Sequence, residues 1–295
     1  MGRGIKSYHP FILLLYYVLG ITGFMLYQHP IFLSVGVLLI ICFILLLNLS
    51  AELKKWGWMI FTMSLFIFIF TPLFNRKGNH ILFYFMDRQI MLEAIIQGSM
   101  IALTLIGIMS IFITFNHLMT SDKFLFLFST ILPQWALLTM LSMRFVPLLK
   151  QRLNQMKEIQ ELKGVSLKQG TIKGRARNGM LLLQMLLTSA LEESIQSADS
   201  MTARGYGIKK RTTYHAYSMQ LKDWLAFMFL LVMGFLMFLG WWLGDGVLQL
   251  LPILEQVGLD GREYAYLTVW ILLIGFPIGI EGNEVIKWKY LQQKI

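Results

Sequence analysis

Seven apolar runs dominate the chain, at roughly 11–27, 31–49, 57–74, 98–115, 124–143, 224–243 and 265–280. A helix needs about 17–25 apolar residues to cross a bilayer, so most of these runs are long enough and the last is marginal. Hydrophobic residues make up 56% of the 295 and charged residues 14%, where a soluble domain carries about 25% charged residues. With a mean hydropathy of +0.62, the apolar surplus cannot fit inside one water-surrounded core. That excludes an ordinary soluble enzyme, a disordered chain and a disulfide scaffold, and it predicts an all-α polytopic membrane protein. The single cysteine, Cys42, allows no intramolecular disulfide and no cysteine metal cluster. No small-residue cleavage site follows the first run, which begins after Arg3 and Lys6, so it reads as a retained span rather than a secretory signal.

Charge decides which runs cross. Lys54 and Lys55 mark the connection after the second run as cytoplasmic, which puts the N-terminus inside too. Between Arg144 and Lys222 the chain holds fourteen Lys and Arg against five Asp and Glu, a net of +9 out of +10 for the whole chain. If 124–143 crossed, all of that charge would be exported, against the positive-inside bias. Residues 244–264 carry a net of −3 and read as external, and the tail with Lys287, Lys289 and Lys294 returns inside. Six spans with both termini cytoplasmic satisfy every connection. The run 124–143 is then expected to be a buried helix that does not cross, interrupted by Pro133, with Pro147 ending or kinking the next stretch of chain. The chain divides accordingly into 1–123 with four spans, an inner-face and cytoplasmic segment 124–222, and 223–295 with two spans and a tail.

Two helices are expected in that basic segment. Leu149, Leu153, Met156, Ile159 and Leu162 recur at three- and four-residue steps, an amphipathic pattern that begins near Pro147 and ends at Gly164. Gly170 and Gly174 punctuate a basic connection containing Lys173, Arg175 and Arg177. A second helix then runs from about Asn178 to Arg204, apolar from Met180 to Leu191 and small and polar afterwards (Ser194, Ser197, Ala198, Ser200, Ala203). Arg204 falls in the last turn, where a cation opposes the negative end of the helix dipole. Gly205 and Gly207 suit the conformations that stop a helix. Such an end is either a solvated cap or an arginine offered to a partner's carboxylate or helix terminus.

The stretch from Ala198 to Tyr206, with Ala203-Arg204-Gly205 at its centre, resembles the second coupling-helix signature of the transmembrane T component of energy-coupling factor transporters. That family includes the cobalt-transport permease of the Q type. Leu162-Lys163-Gly164 stands at the matching end of the first helix, and Arg144-Phe145-Val146-Pro147-Leu148 is similar to the family's lead-in. Leu162 replaces the family's alanine and Lys163 its arginine, which keeps the charge and loses the planar fork. The resemblance implies a non-catalytic subunit of a bacterial plasma-membrane importer of a vitamin or transition-metal ion. It also implies two ATP-binding-cassette ATPases as partners, one for each helix tip, and a separate substrate-binding membrane subunit.

Other chemistry has little support in the residues. There is no G-x-x-x-x-G-K-[ST] loop for ATP, the five histidines share no metal-ligand spacing, and no cofactor is expected. Asp199-x-x-x-Ala203-Arg204 imitates the opening of the CDP-alcohol phosphotransferase signature, but the downstream aspartates that would hold a divalent metal are missing. Nucleic acid has no motif. Membrane lipids are expected partners of the basic segment, and the alternative reading is a membrane scaffold or lipid-modifying enzyme that binds anionic lipid there. Tyr16, Tyr17, Trp56, Trp58, Trp241, Trp242 and Trp288 read as interfacial anchors near span ends.

Overall fold

The computed structural model describes residues 4–75, 78, 80–85, 88–163, 171–208, 217–249 and 258–292. In chain order its helices are α1 (Pro10–Leu26), α2 (Pro30–Leu46), α3 (Ser50–Phe74), α4 (Leu92–Leu118), α5 (Ser121–Ile131), α6 (Pro133–Leu162), α7 (Ile172–Ala203), α8 (Leu221–Trp242) and α9 (Gly261–Gln292). Contacts divide the chain into two compact units, Met1–Lys123 with Tyr217–Ile295, and Phe124–Ala216.

Within the first unit, α1 and α2 both open on His-Pro. Proline at the first helical position lacks an N–H that would be unpaired there in any case. The preceding histidine caps the next free amide: Nδ1 of His9 accepts from Phe11 N–H and Nδ1 of His29 from Ile31 N–H, both at 3.3 Å. Each helix has 17 residues. The longer apolar helices α3, α4, α8 and α9 (as far as Glu284) each have the length and composition to cross a membrane.

The apolar run 57–74 is the C-terminal part of α3, which starts at Ser50, so Lys54 and Lys55 lie in its exposed second turn rather than in a loop. The marginal run 265–280 is likewise the middle of a much longer helix, α9. An antiparallel pair, β1 (Ile81–Phe85) and β2 (Arg88–Met91), stands between α3 and α4. The first strand, Ile-Leu-Phe-Tyr-Phe, does not alternate in polarity, but four of its five residues are of the β-branched and aromatic types that favour strands.

The core of this unit is built on glycine. Trp270 of α9 is fully buried and donates its indole N–H to the Phe32 carbonyl at 3.0 Å. Its ring lies where α1 and α2 present Gly23 and Gly36, and a β-carbon at either position would overlap it. Phe24 fits in the same way against Gly107 of α4. Small residues let backbones approach closely where lipid supplies no hydrophobic drive between helices. Tyr16 and Tyr17 are not interfacial anchors: they are buried at 3% and 2% in mid-α1, and the Tyr16 hydroxyl donates to the Ile274 carbonyl at 3.2 Å. Trp56, Trp58, Trp241 and Trp242 are exposed. The side chain of Trp288 lies outside the described residues.

In the second unit, the run expected to form one buried helix forms two. The first, α5, stops at Ile131, and Pro133 takes the first position of α6. Within the run Ala136 is buried, but Trp135, Leu138, Met140 and Met143 are exposed. Apolar composition reports avoidance of water and does not say what covers the side chains. Pro147 neither begins nor ends a helix, because it sits inside the 30-residue α6.

The second helix also starts earlier than expected. Thr171 Oγ1 accepts from Gly174 N–H at 3.3 Å, which caps α7 at Ile172. Gly174, Lys173, Arg175 and Arg177 are therefore helical, while Gly170 lies outside the described residues. Arg152 of α6 binds Ser189 Oγ (2.7 Å) and Glu193 (3.1 Å) of α7, and the Gln160 amide meets Met185 sulfur at 3.6 Å.

Candidate coupling site

The two helices of the second unit run in opposite senses across their contact, since Arg152 faces Ser189 and Glu193 while Gln160, two turns later, faces Met185. Their C-terminal ends therefore leave the contact on opposite sides. At about 1.5 Å of rise per residue, Lys163 lies about 10 Å beyond Met156 along α6, and Arg204 about 24 Å beyond Thr188 along α7. Met156 and Thr188 line the same groove between the helices.

Both cations occupy the same position relative to their helix. Lys163 is the C-cap of α6 at φ −81, ψ 5, and Arg204 is the C-cap of α7 at φ −81, ψ 4. Each backbone N–H still closes a helical bond, to Ile159 O and Ser200 O respectively, both at 3.2 Å. Each side chain is exposed. The ion pairs among the described residues join His80 to Glu93, Arg152 to Glu193 and Arg262 to Asp245, so neither tip cation is engaged in one. A cation at this point lies at the negative end of the helix dipole, with its charge directed outward.

The second tip is closed by a Schellman motif. Gly205 N–H bonds Thr202 O at 2.9 Å and Tyr206 N–H bonds Met201 O at 3.0 Å. Gly205 is at φ +79, the left-handed conformation that a β-carbon disfavours. Ala203 is the last residue of α7, and Ser194, Ala198 and Ser200 leave the preceding surface exposed and low in relief. On the first tip, Leu162 ends α6 and is 89% exposed. Gly164 lies outside the described residues. Ala203, Arg204 and Gly205 stand together at the second tip and Leu162 and Lys163 at the first, and the helix contact keeps the two tips apart. The tie from Arg152 to Glu193 and Ser189 was not anticipated: these residues are 37 and 41 positions apart, and nothing local links them.

Apolar helices long enough to span a bilayer, in a chain that also carries a two-helix basic segment, define a multi-pass α-helical membrane protein. The model of the cobalt transport protein family, CbiQ, matches residues 9–214, a stretch that runs from the cap of α1 to beyond Arg204, and the chain belongs to that family. It is similar to the energy-coupling factor transporter transmembrane protein EcfT of Staphylococcus aureus (strain 04-02981), 29% identical over 192 residues that cover 61% of this chain and 69% of the relative. The protein of the same name from Streptococcus thermophilus is 30% identical over 187 residues, covering 59% and 70%. That of Streptococcus equi subsp. equi is 33% identical over 103 residues, covering 35% and 38%. The likeness is to T components of energy-coupling factor transporters.

Proposed function

We propose that the chain links ATP hydrolysis by two partner ATP-binding-cassette ATPases to uptake of a vitamin or transition-metal ion held by a separate membrane subunit. In this reading it hydrolyses nothing itself, lies in a bacterial plasma membrane with six spans, and keeps both termini in the cytoplasm. The observation that carries the proposal is the equivalence of Lys163 and Arg204. Each is a cation at the C-cap of its helix that makes no ion pair among the described residues, and the two tips point away from their common contact. One partner cannot readily take both tips, whereas two partners can take one each.

The tips are unequal in kind. Arg204 offers a planar fork able to bind a carboxylate through two bonds, and Lys163 a point charge. Once docked, the tips move with the ATPases as ATP draws those together. The tie from Arg152 to Glu193 and Ser189 holds α6 on α7 at their shared contact, the pivot about which the two tips would shift.

Pull-down of the chain in mild detergent tests this. Two ATPase chains and a small membrane subunit should co-purify, Arg204→Ala should lose at least one ATPase, and Lys163→Arg should behave as the parent. Recovery of no ATPase under any condition would sink the reading. The basic segment would then be taken as a lipid-binding surface of a scaffold or lipid-modifying enzyme.

A further inference from the structure

Residues 4–9 precede every apolar run, and nothing in their composition gives them a role. In the structure they are held from several sides. Gly4–Ser7 forms a 3-10 turn with Gly4 at φ +68, where a β-carbon would collide with the Glu281 carboxylate. Ile5 is 1% exposed and its N–H donates to Glu281 Oε2 at 3.1 Å. The Lys6 carbonyl accepts from Nζ of Lys123 at 3.0 Å, and Lys123 is itself 7% exposed. Ser7 Oγ accepts from Nζ of Lys222 at 3.1 Å. His9 N–H donates to Oδ1 of Asp223 at 3.2 Å, and Asp223, 2% exposed, also accepts the Gln220 N–H at 2.9 Å.

These partners share a place in the chain. Lys123 is the last residue before the unit Phe124–Ala216, and Lys222 and Asp223 lie in the first turn of α8, a few residues after that unit ends. The chain therefore leaves the spanning helices and returns to them through residues bound to the same short turn. Covering helix ends with Ile5 would require none of these bonds. All of them involve a charged side chain, the stronger class of hydrogen bond.

We propose that residues 4–9 form a clasp, and that Lys123, Lys222 and Asp223 are positioning residues for coupling. By fixing both connections to the helix bundle, they pass displacement of the 124–216 segment to the spans instead of letting slack at its two ends absorb it. Coupling of this kind travels through hydrogen-bonded networks and rigid elements. The inference rests on the coupling function proposed above.

The test reconstitutes the whole complex in vesicles and measures uptake and ATP hydrolysis together. The variants are a Lys123→Met/Lys222→Met pair, Asp223→Asn and Lys123→Arg. The expected result is normal assembly and continued hydrolysis, with uptake per ATP reduced at least about tenfold by the paired variant, which removes two hydrogen bonds made by charged groups. Lys123→Arg should retain most of the coupling. Unchanged uptake per ATP in assembled variants overturns the clasp. Failure of the parent chain to recruit ATPases overturns the coupling function first, and it is seen before any variant is made. Should the variants not accumulate, amide exchange in the parent complex decides. Protection at 4–9, 119–123 and 220–223 that persists through the ATP cycle supports the clasp, and free exchange there overturns it.

Discussion

At the residue scale, glycines of one composition class separate sharply in structure. A β-carbon on Gly23 would overlap the Trp270 ring, whereas one on Gly57 of α3 would meet nothing within 4 Å. Gly23→Ala should therefore destabilise the purified protein by about 1–3 kcal/mol, the usual cost of overpacking. Gly57→Ala should stabilise it by about 0.5–1 kcal/mol through helix propensity. Thermal unfolding in detergent reads both, and a similar shift for the two would contradict the packing described.

His9 gives a pH signature. Burial lowers its pKa below the ordinary histidine value, with nearby Asp223 pulling the other way. Protonation at Nδ1 would also remove the acceptor for Phe11 N–H. The folded state thus binds this proton less well than the unfolded chain. Stability from the group is complete above about pH 6.5 and is lost as pH falls through the lowered folded value. Asparagine caps a helix without titrating, so His9→Asn should reduce the loss of melting temperature between about pH 8 and about pH 5. None of this was legible from residue types. Tyr16 and Tyr17 resemble interfacial anchors by composition, and a carbonyl 258 positions away makes Tyr16 a core residue.

At the element scale, the runs located the helices and misplaced several ends. The start of α3 escaped because Ser50, Glu52, Lys54 and Lys55 are good helix formers or caps without being apolar. The same holds for the first turns of α7, where Thr171 supplies the cap and a glycine is tolerated three residues on. Pro147 marks the opposite error. A proline inside a helix removes one backbone donor without ending the helix when packing holds the rest. Pro147→Ala would supply the N–H that Met143 O lacks. It should raise amide-exchange protection across 143–151 and stiffen α6, by up to about 3 kcal/mol of local stability. Unchanged protection there would show that the missing bond is already compensated. The two tips were legible because their signals are local: a cation, a glycine and an amphipathic run within a few turns. Their opposite directions were not, since these arise from contacts between α6 and α7.

At the scale of the whole molecule, the proposed six spans and inward termini predict a labelling pattern. In intact cells an impermeant thiol reagent should modify a cysteine placed at Asp260 and spare one placed at Ser200, with Cys42 replaced by serine. The reverse pattern would invert the orientation. The unequal helices carry a further consequence for the surrounding lipid. At 17 residues, α1 and α2 reach about 25 Å, while α3 with 25 and α4 with 27 reach about 38–40 Å. A hydrocarbon layer of about 30 Å exceeds the short pair, whereas in the long pair only the apolar stretches, such as 57–74 of α3, need lie within it. Beside the short pair the bilayer thins or flanking residues reach toward the interface, while the polar first turns of α3, with Lys54 and Lys55, extend beyond the hydrocarbon. Acyl-chain length is therefore a variable of this protein's environment, and reconstitution into thicker membranes will strain the short helices first.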